Sequence, residues 1–437
     1  MGRLSNLYGI LQVIGREGQV EKRGRVEARP LFDWVTGPVD GTTETTRMTE
    51  NNRTNAKVIF ALTLIHFCGD FYASFINPLL PVFKERFTLS LVQVGLIAGV
   101  VQVMSFIIQP FVGYYADRYR SRVFILGGPL LATLFIGLVG LVPSYPILLL
   151  CVATGAIGTA MFHPSVAGMV AGYAGKHLGL CMSIFNFGGS LAFGVGPLFI
   201  AYLVGRWGLD LSAWAVLPGL VVVGILYIIV PAPRGEGLRG EGFVSALRGA
   251  FGEVWRGVLL IWVVMVLRAF VNQAFLAFIP ILYDREGFSL FSIGLIVSLF
   301  TMAGSIGGVI AGHLSDRLGY RPIFYVSFAL SAPSLLLILF GKGLWCYAGA
   351  ALGGFFVMAP LPLGLVMAQK LAPRGRSMVS SLMMGLAMGL GGILAPLVGG
   401  LADLFSIRIV LASLAMFPLL SITLVKFFPE ERLDQAT

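Results

Sequence analysis

Apolar stretches of about twenty residues or more recur at 57–83, 91–115, 123–142, 146–171, 177–204, 212–231, 257–283, 290–314, 322–341, 343–369, 377–402 and 406–427. A helix rises about 1.5 Å per residue, so each stretch can cross a hydrocarbon layer roughly 30 Å thick. The pattern predicts an all-α integral membrane protein with twelve transmembrane helices, arranged as two six-helix bundles related by a pseudo-two-fold axis. The polar intervals set the boundaries: a disordered tail at 1–56, a first bundle at 57–231, a linker at 232–256, a second bundle at 257–430 and a short tail at 431–437. The linker opens with Pro231-Ala-Pro-Arg-Gly-Glu-Gly, which ends the sixth span and favours a flexible connection. Residues 243–256 could form a short amphipathic helix within it. For the first tail two readings stand: a surface segment carrying Leu4, Leu7 and Ile10, or a chain whose translation begins at Met48.

The two bundles share a register. Gly113-Tyr-Tyr-Ala-Asp117-Arg118-Tyr-Arg-Ser-Arg122 returns 199 positions later as Gly312-His-Leu-Ser-Asp316-Arg317-Leu-Gly-Tyr-Arg321. The same offset relates Ser90 to Ser289, Gly95 to Gly294, Pro81 to Pro280 and Pro197 to Pro396. A constant offset over more than three hundred residues implies duplication, with both halves facing the membrane the same way.

Composition agrees with burial in lipid: 57% of the 437 residues are hydrophobic, 12% are charged, and the mean hydropathy is +0.87. Lys and Arg concentrate in alternate connections, at Arg118, Arg122, Lys176, Arg234, Arg317, Arg321, Lys370 and Arg374 among others. Basic loops stay on the cytoplasmic side, so both termini are expected there, in a multi-pass protein of the cell membrane. The net charge of +10 follows from that asymmetry and from attraction to anionic lipid, without a nucleic-acid partner. Cys68, Cys151, Cys181 and Cys346 fall inside separate spans and read as packing residues. Paired glycines four apart, Gly95 and Gly99, Gly304 and Gly308, Gly385 and Gly389, suit close helix packing in lipid.

Ionisable groups deep in a span are expensive and mark function. His66 and Asp70 lie one turn apart on the first helix, with Asn77 on the same face. The repeat register places Arg268 within one residue of the position equivalent to Asp70, so the symmetry could bring the two together as a neutral pair. An Asp beside a His in a low-dielectric cavity suits a proton carrier, and an anionic substrate at Arg268 would compete with that balance. A buried structural ion pair is the other reading. Tyr72, Gln102, Asn186, Asn272 and Gln273 are further substrate-binding candidates, and His163 before Pro164 is a candidate for ligand contact or gating. At the repeated loops Gly113, Asp117, Arg118 and Arg122, with Gly312, Asp316, Arg317 and Arg321, form a candidate cytoplasmic latch, because an Asp at a helix C-terminus needs outside compensation.

Gly-x-x-x-Asp-Arg-x-x-x-Arg after the second and eighth helices resembles the loop motif of the major facilitator superfamily. The resemblance covers about 57–430 and implies two bundles that rock about a central cavity. His66-Phe-Cys-Gly-Asp70-Phe-Tyr and Gly158-Thr-Ala-Met-Phe162-His163-Pro164 resemble the branch that includes fosmidomycin resistance proteins. That implies a monomeric, proton-coupled exporter of a small drug-like or anionic molecule. The superfamily's antiporter pattern Gly-Pro-x-x-Gly-Gly is half kept, since Gly196-Pro197 is followed by Ile200-Ala201; proton-coupled uptake therefore stays open, as does a lipid-translocating or non-transporting relative. An enzyme is not expected: there is no Gly-x-Ser-x-Gly in a suitable setting, no His-Glu-x-x-His and no Walker-type loop, and His66, His163, His177 and His313 lie on different segments. No cofactor or metal is expected.

Overall fold

The computed structural model shows side-chain caps at the start of four spans. It describes residues 54–116, 122–174, 178–231, 254–371 and 382–429, and among these every regular element is helical. Twelve spans follow one another: α1 (Ala56–Arg86), α2 (Leu91–Ala116), α3 (Val123–Leu141), α4 (Tyr145–Tyr173), α5 (Leu178–Trp207), α6 (Leu209–Ile229), α7 (Trp255–Arg285), α8 (Leu290–Leu318), α9 (Tyr320–Phe340), α10 (Leu344–Met358 continued by Pro360–Leu371), α11 (Leu382–Leu386, Ala387–Ile393 and Ala395–Leu404) and α12 (Ile407–Val425). Asn55 caps α1 by accepting from the Val58 amide at 3.2 Å. Ser90 and Gln93 cap α2 reciprocally, backbone amide to side chain in each direction at 2.9 and 3.3 Å. Ser289 and Ser406 do the same service for α8 and α12. The tail at 1–53, the linker at 232–253 and its expected amphipathic helix lie outside the described residues.

Within each half the ends opposite the repeated loops are tied by charge. Arg86 donates to Asp210 at 2.8 Å and to the Gly140 carbonyl at 2.7 Å, while Arg408 pairs with Glu286. These are exposed pairs, which contribute little each. At the loop end, the final arginine of each repeated motif engages the sixth helix of its own half. Arg122 lies over the Tyr227 ring at 6.0 Å, and Arg321 donates to the Phe428 carbonyl just past α12. A cation at the negative end of a helix is favourably placed. Gly319 adopts φ +77°, which lets α8 turn into α9 where a side chain would be strained.

The halves meet through a contact made twice. A Cβ on Gly95 of α2 would lie 2.5 Å from the Ala395 carbonyl and 2.8 Å from Pro396 Cα of α11. A Cβ on Gly294 of α8 would lie 2.6 Å from Ala201 and 2.8 Å from the Pro197 carbonyl of α5. Gly95 and Gly294, like Pro197 and Pro396, are 199 apart, so one glycine-on-proline contact closes both sides of the interface. Proline also leaves the carbonyl four residues before it without a helix partner. For Pro197 that is Phe193, whose carbonyl lies 2.8 Å from the Thr301 hydroxyl of α8. Gln102, 199 positions before Thr301, packs against Gly392, the corresponding residue before Pro396. Asp403 at the end of α11 adds a third element, accepting from the Leu91 and Val92 amides at 3.4 Å each. A carboxylate there complements the positive N-terminus of α2.

Glycine spacing elsewhere serves packing as expected: Gly304 sits on Met358 and the Gly354 carbonyl, Gly308 on Pro362, Gly389 on Phe106. Four spans are interrupted among the described residues, each within three residues of a proline. α1 breaks between Ala73 and Ile76, α10 at Ala359, α11 at Leu394 and α12 between Leu414 and Phe417. Because the glycine-on-proline contact has no spare room, Gly95→Val forces α2 away from α11. Spin labels at the exposed Thr88 and Leu404 are expected to move apart by several ångström in that variant, measured by pulsed electron resonance; an unchanged distance distribution contradicts the contact.

Candidate functional site

The helix hydrogen-bond pattern puts His66 one turn before Asp70 on α1, and both are buried. Packing of α4 against α1 brings His163 to the other side of the carboxylate. His66 Nε2 lies 3.1 Å from Asp70 Oδ2, and His163 Nε2 lies 3.2 Å from Asp70 Oδ1. Each imidazole is anchored through its other nitrogen: His66 Nδ1 is 2.9 Å from the Phe185 carbonyl and His163 Nδ1 is 2.7 Å from the Thr159 carbonyl. A carbonyl only accepts, so both Nδ1 atoms carry hydrogen and both Nε2 atoms face the carboxylate. The rings are further held by stacking, His66 on Phe185 at 4.1 Å and His163 on Phe162 at 4.2 Å between centroids. Gly189 of α5 faces the cluster with no side chain; a Cβ there would lie 2.5 Å from His66 Nε2 and 2.8 Å from Asp70 Oδ2.

This geometry fixes a proton inventory. With Nδ1–H committed to backbone, a neutral imidazole offers only a lone pair to the carboxylate, which also offers only lone pairs. Each Nε2–Oδ contact therefore needs one proton of its own, on the imidazole or on the acid. The full cluster holds two such protons and one net positive charge; removing one leaves it neutral with one contact unbridged. His163 is the more open arm, its side chain 26% exposed against 9% for His66.

Arg268 on α7 is built differently. It is 3% exposed, and its Nε and Nη1 atoms are buried with no hydrogen-bond partner among the described residues. Asn272, one turn on, is also buried and its Oδ1 has no partner. Asp70 and Arg268 do not form the neutral pair expected from the repeat: Asp70 is compensated inside its own half by two histidines. Near-equivalent positions in sequence lie on separate helices, and α4 supplies a partner that the register does not reveal.

Other expectations divide. Tyr72 is buried and donates to the Ala215 carbonyl at 2.5 Å, closing α1 onto α6. Gln102 belongs to the α2–α11 interface, as described above. Asn77 and Gln273 are half-buried, and Asn186 is exposed next to the Phe185 that stacks on His66. Asp117 and Arg118 lie outside the described residues, as do the side chains of Gly113 and Asp316; Gly312 has open space around it and Arg317 is exposed. The histidines read as scattered are, for His66 and His163, 5.1 Å apart between ring centroids. Gly189 escaped sequence reasoning, since a glycine among many carries no signal of what it faces.

Twelve apolar helices in a duplicated arrangement, with ionisable groups buried between them, define a multi-pass membrane protein. The chain matches the Major Facilitator Superfamily over residues 62–317 and 287–437, and it belongs to that family of secondary transporters. It is 29% identical to the fosmidomycin resistance protein of Escherichia coli (strain K12), an alignment covering 88% of this chain and 95% of that one. It is 26% identical to an MFS-type transporter of Bacillus subtilis (strain 168), over 84% and 91% of the two chains. Among solved structures, a bacterial homolog of the human lysosomal transporter Spinster superposes with a TM-score of 0.71 at 18% identity, covering 85% of this chain and 96% of that one.

The assignment of Tyr72 to packing has a direct check. Tyr72→Phe removes one buried hydrogen bond and is expected to lower stability by about 1 kcal/mol, read as a small drop in melting temperature. Substrate KM should stay within twofold of the parent. A KM raised tenfold or more would return Tyr72 to the substrate cavity.

Proposed function

We propose that the protein is a proton-coupled carrier of a small organic anion, working as an exporter by alternating access between its two halves. The observation that carries this reading is the buried guanidinium of Arg268 without a protein acceptor. A charged residue at the centre of a membrane helix costs roughly 2.5–3.5 kcal/mol on insertion scales, and the contrast with the compensated Asp70 points to a partner that comes and goes. A carboxylate, phosphonate or phosphate entering the cleft would pair with Arg268, with the Asn272 carboxamide giving orientation. Asn77, Asn186 and Gln273 are the remaining polar candidates beside it, and Phe71, Phe187 and Phe270 offer apolar walls.

The proton site in this reading is the cluster of His66, Asp70 and His163. Rocking of the halves about the glycine-on-proline contacts would expose it to one side and then the other, and the repeated Asp-Arg loops would latch the side that carries them. We place that side in the cytoplasm with both termini, and the protein in the cell membrane as a monomer, with the six-helix halves at 57–231 and 257–430 as the rocking bodies. Export draws its support from the Escherichia coli relative, a resistance protein. One observation favours uptake by symport instead: protonation makes the cluster net positive, which strengthens anion binding across the cleft and would load proton and anion together.

Reconstituted vesicles test both the anion and the coupling. With labelled fosmidomycin as probe, Arg268→Ala is expected to lose transport at least tenfold, in keeping with the 1.5–3 kcal/mol typical of a hydrogen bond to a charged group. Asp70→Asn is expected to lose acceleration by a pH gradient while keeping exchange of labelled for unlabelled substrate. Accumulation against the gradient in one orientation or the other separates export from uptake. Arg268→Ala transporting at the parent rate would overturn the anion site.

A further inference from the structure

We propose that His66, Asp70 and His163 also form a binding site for a divalent transition-metal ion of the zinc type. Four observations converge on it. First, the candidate ligand atoms of the three residues all lie within 4.8 Å of one another. Both Nε2 atoms sit 3.1–3.2 Å from the carboxylate oxygens. Ligands bound about 2.0–2.2 Å from one zinc ion at roughly tetrahedral angles are themselves separated by about 3.3–3.6 Å, so the nitrogen–oxygen separations fit one ion while the widest pair of ligand atoms has to close on binding.

Second, the two imidazoles are already in the orientation a metal requires. Each donates Nδ1–H to a backbone carbonyl, from Phe185 and Thr159, leaving both Nε2 lone pairs directed toward the Asp70 carboxylate. That outer hydrogen bond is the arrangement that fixes tautomer and ring direction in histidine-ligated sites. Third, Asp70 Oδ1 is fully buried and has no well-aligned hydrogen bond, so its lone pairs are directed into the cluster without a settled partner. Fourth, Gly189 leaves the adjoining volume clear, where a side chain would meet His66 Nε2 and Asp70 Oδ2. Two imidazoles and one carboxylate give a mixed nitrogen and oxygen set that suits zinc, nickel or copper better than magnesium or calcium.

The same cluster holds protons in the absence of a metal, so ion and protons compete. Binding would expel the protons bridging the Nε2–Oδ contacts, and affinity would fall as pH falls. The proposal concerns binding and stands apart from the transport reading, since it can hold in a carrier with no proton coupling.

The test uses the whole protein in detergent, purified without a polyhistidine tag. Titration with zinc chloride is expected to show one equivalent bound with release of protons, and cobalt chloride to give visible absorption bands of a low-symmetry site. His163→Gln and Asp70→Asn each are expected to weaken zinc binding at least tenfold, and Gly189→Ala likewise by filling the site. Arg268→Ala, in the other half, is expected to leave zinc affinity unchanged while abolishing binding of an anionic probe, which separates the metal site from the anion site. The cobalt spectrum of the parent protein stands independently of how well any variant folds. Fewer than one bound equivalent, or zinc affinity unaltered in both His163→Gln and Asp70→Asn, would overturn the proposal.

Discussion

Hydrocarbon cannot solvate charge, and every ionisable group in the membrane-spanning core has to be read against that constraint. Asp70 is compensated within its own half: two histidines, each braced by a backbone carbonyl, flank the carboxylate. Arg268 and Asn272 leave the constraint unmet among the described residues. A packing element would gain nothing from a buried guanidinium, whereas a binding element gains an empty coordination sphere ready for an anion. The proposed division of labour between the halves, one holding protons and one presenting positive charge to an anion, rests on that difference.

Motion depends on a second constraint, the close approach of backbones without a hydrophobic drive. Gly95 on Pro396 and Gly294 on Pro197 provide it at symmetric places, and the prolines that make the surfaces also free carbonyls that need partners across the interface. Thr301 meets that need on one side; Gln102 stands in the corresponding position on the other. In the proposed reading, a contact that combines tight packing with one hydrogen bond acts as the pivot.

The spans were legible because lipid imposes one long apolar run per crossing, and the observed helices start and stop within a few residues of those runs. The 199-residue register correctly announced two related halves. It also contained, unread, the contact that joins them: Gly95, Gly294, Pro197 and Pro396 appear as repeat markers in the sequence and touch one another only in the fold. The site was half legible. His66 and Asp70 could be joined because one helical turn separates them, but His163 is brought in by packing of α4 on α1, which no local periodicity encodes. Tyr72 shows the ambiguity of a polar group inside a span, which suits a cavity or a capped carbonyl equally well; in the fold its hydroxyl reaches the Ala215 carbonyl. Breaks in α10 and α11 were foreshadowed by Pro360, Pro362 and Pro396, though their exact residues depend on the neighbours each proline meets.

The central claim is that an anion held by Arg268 in one half and protons held by Asp70 and its histidines in the other are thermodynamically linked. Counting protons during substrate binding tests it most directly, with purified carrier in weakly buffered detergent solution and a pH indicator. The account predicts that saturating anion shifts proton occupancy by about one per carrier, released for exchange or taken up for co-transport, and that the shift disappears in Asp70→Asn. Saturable anion binding with no proton exchanged at any pH between 5 and 8, the range in which histidine ordinarily titrates, would contradict it.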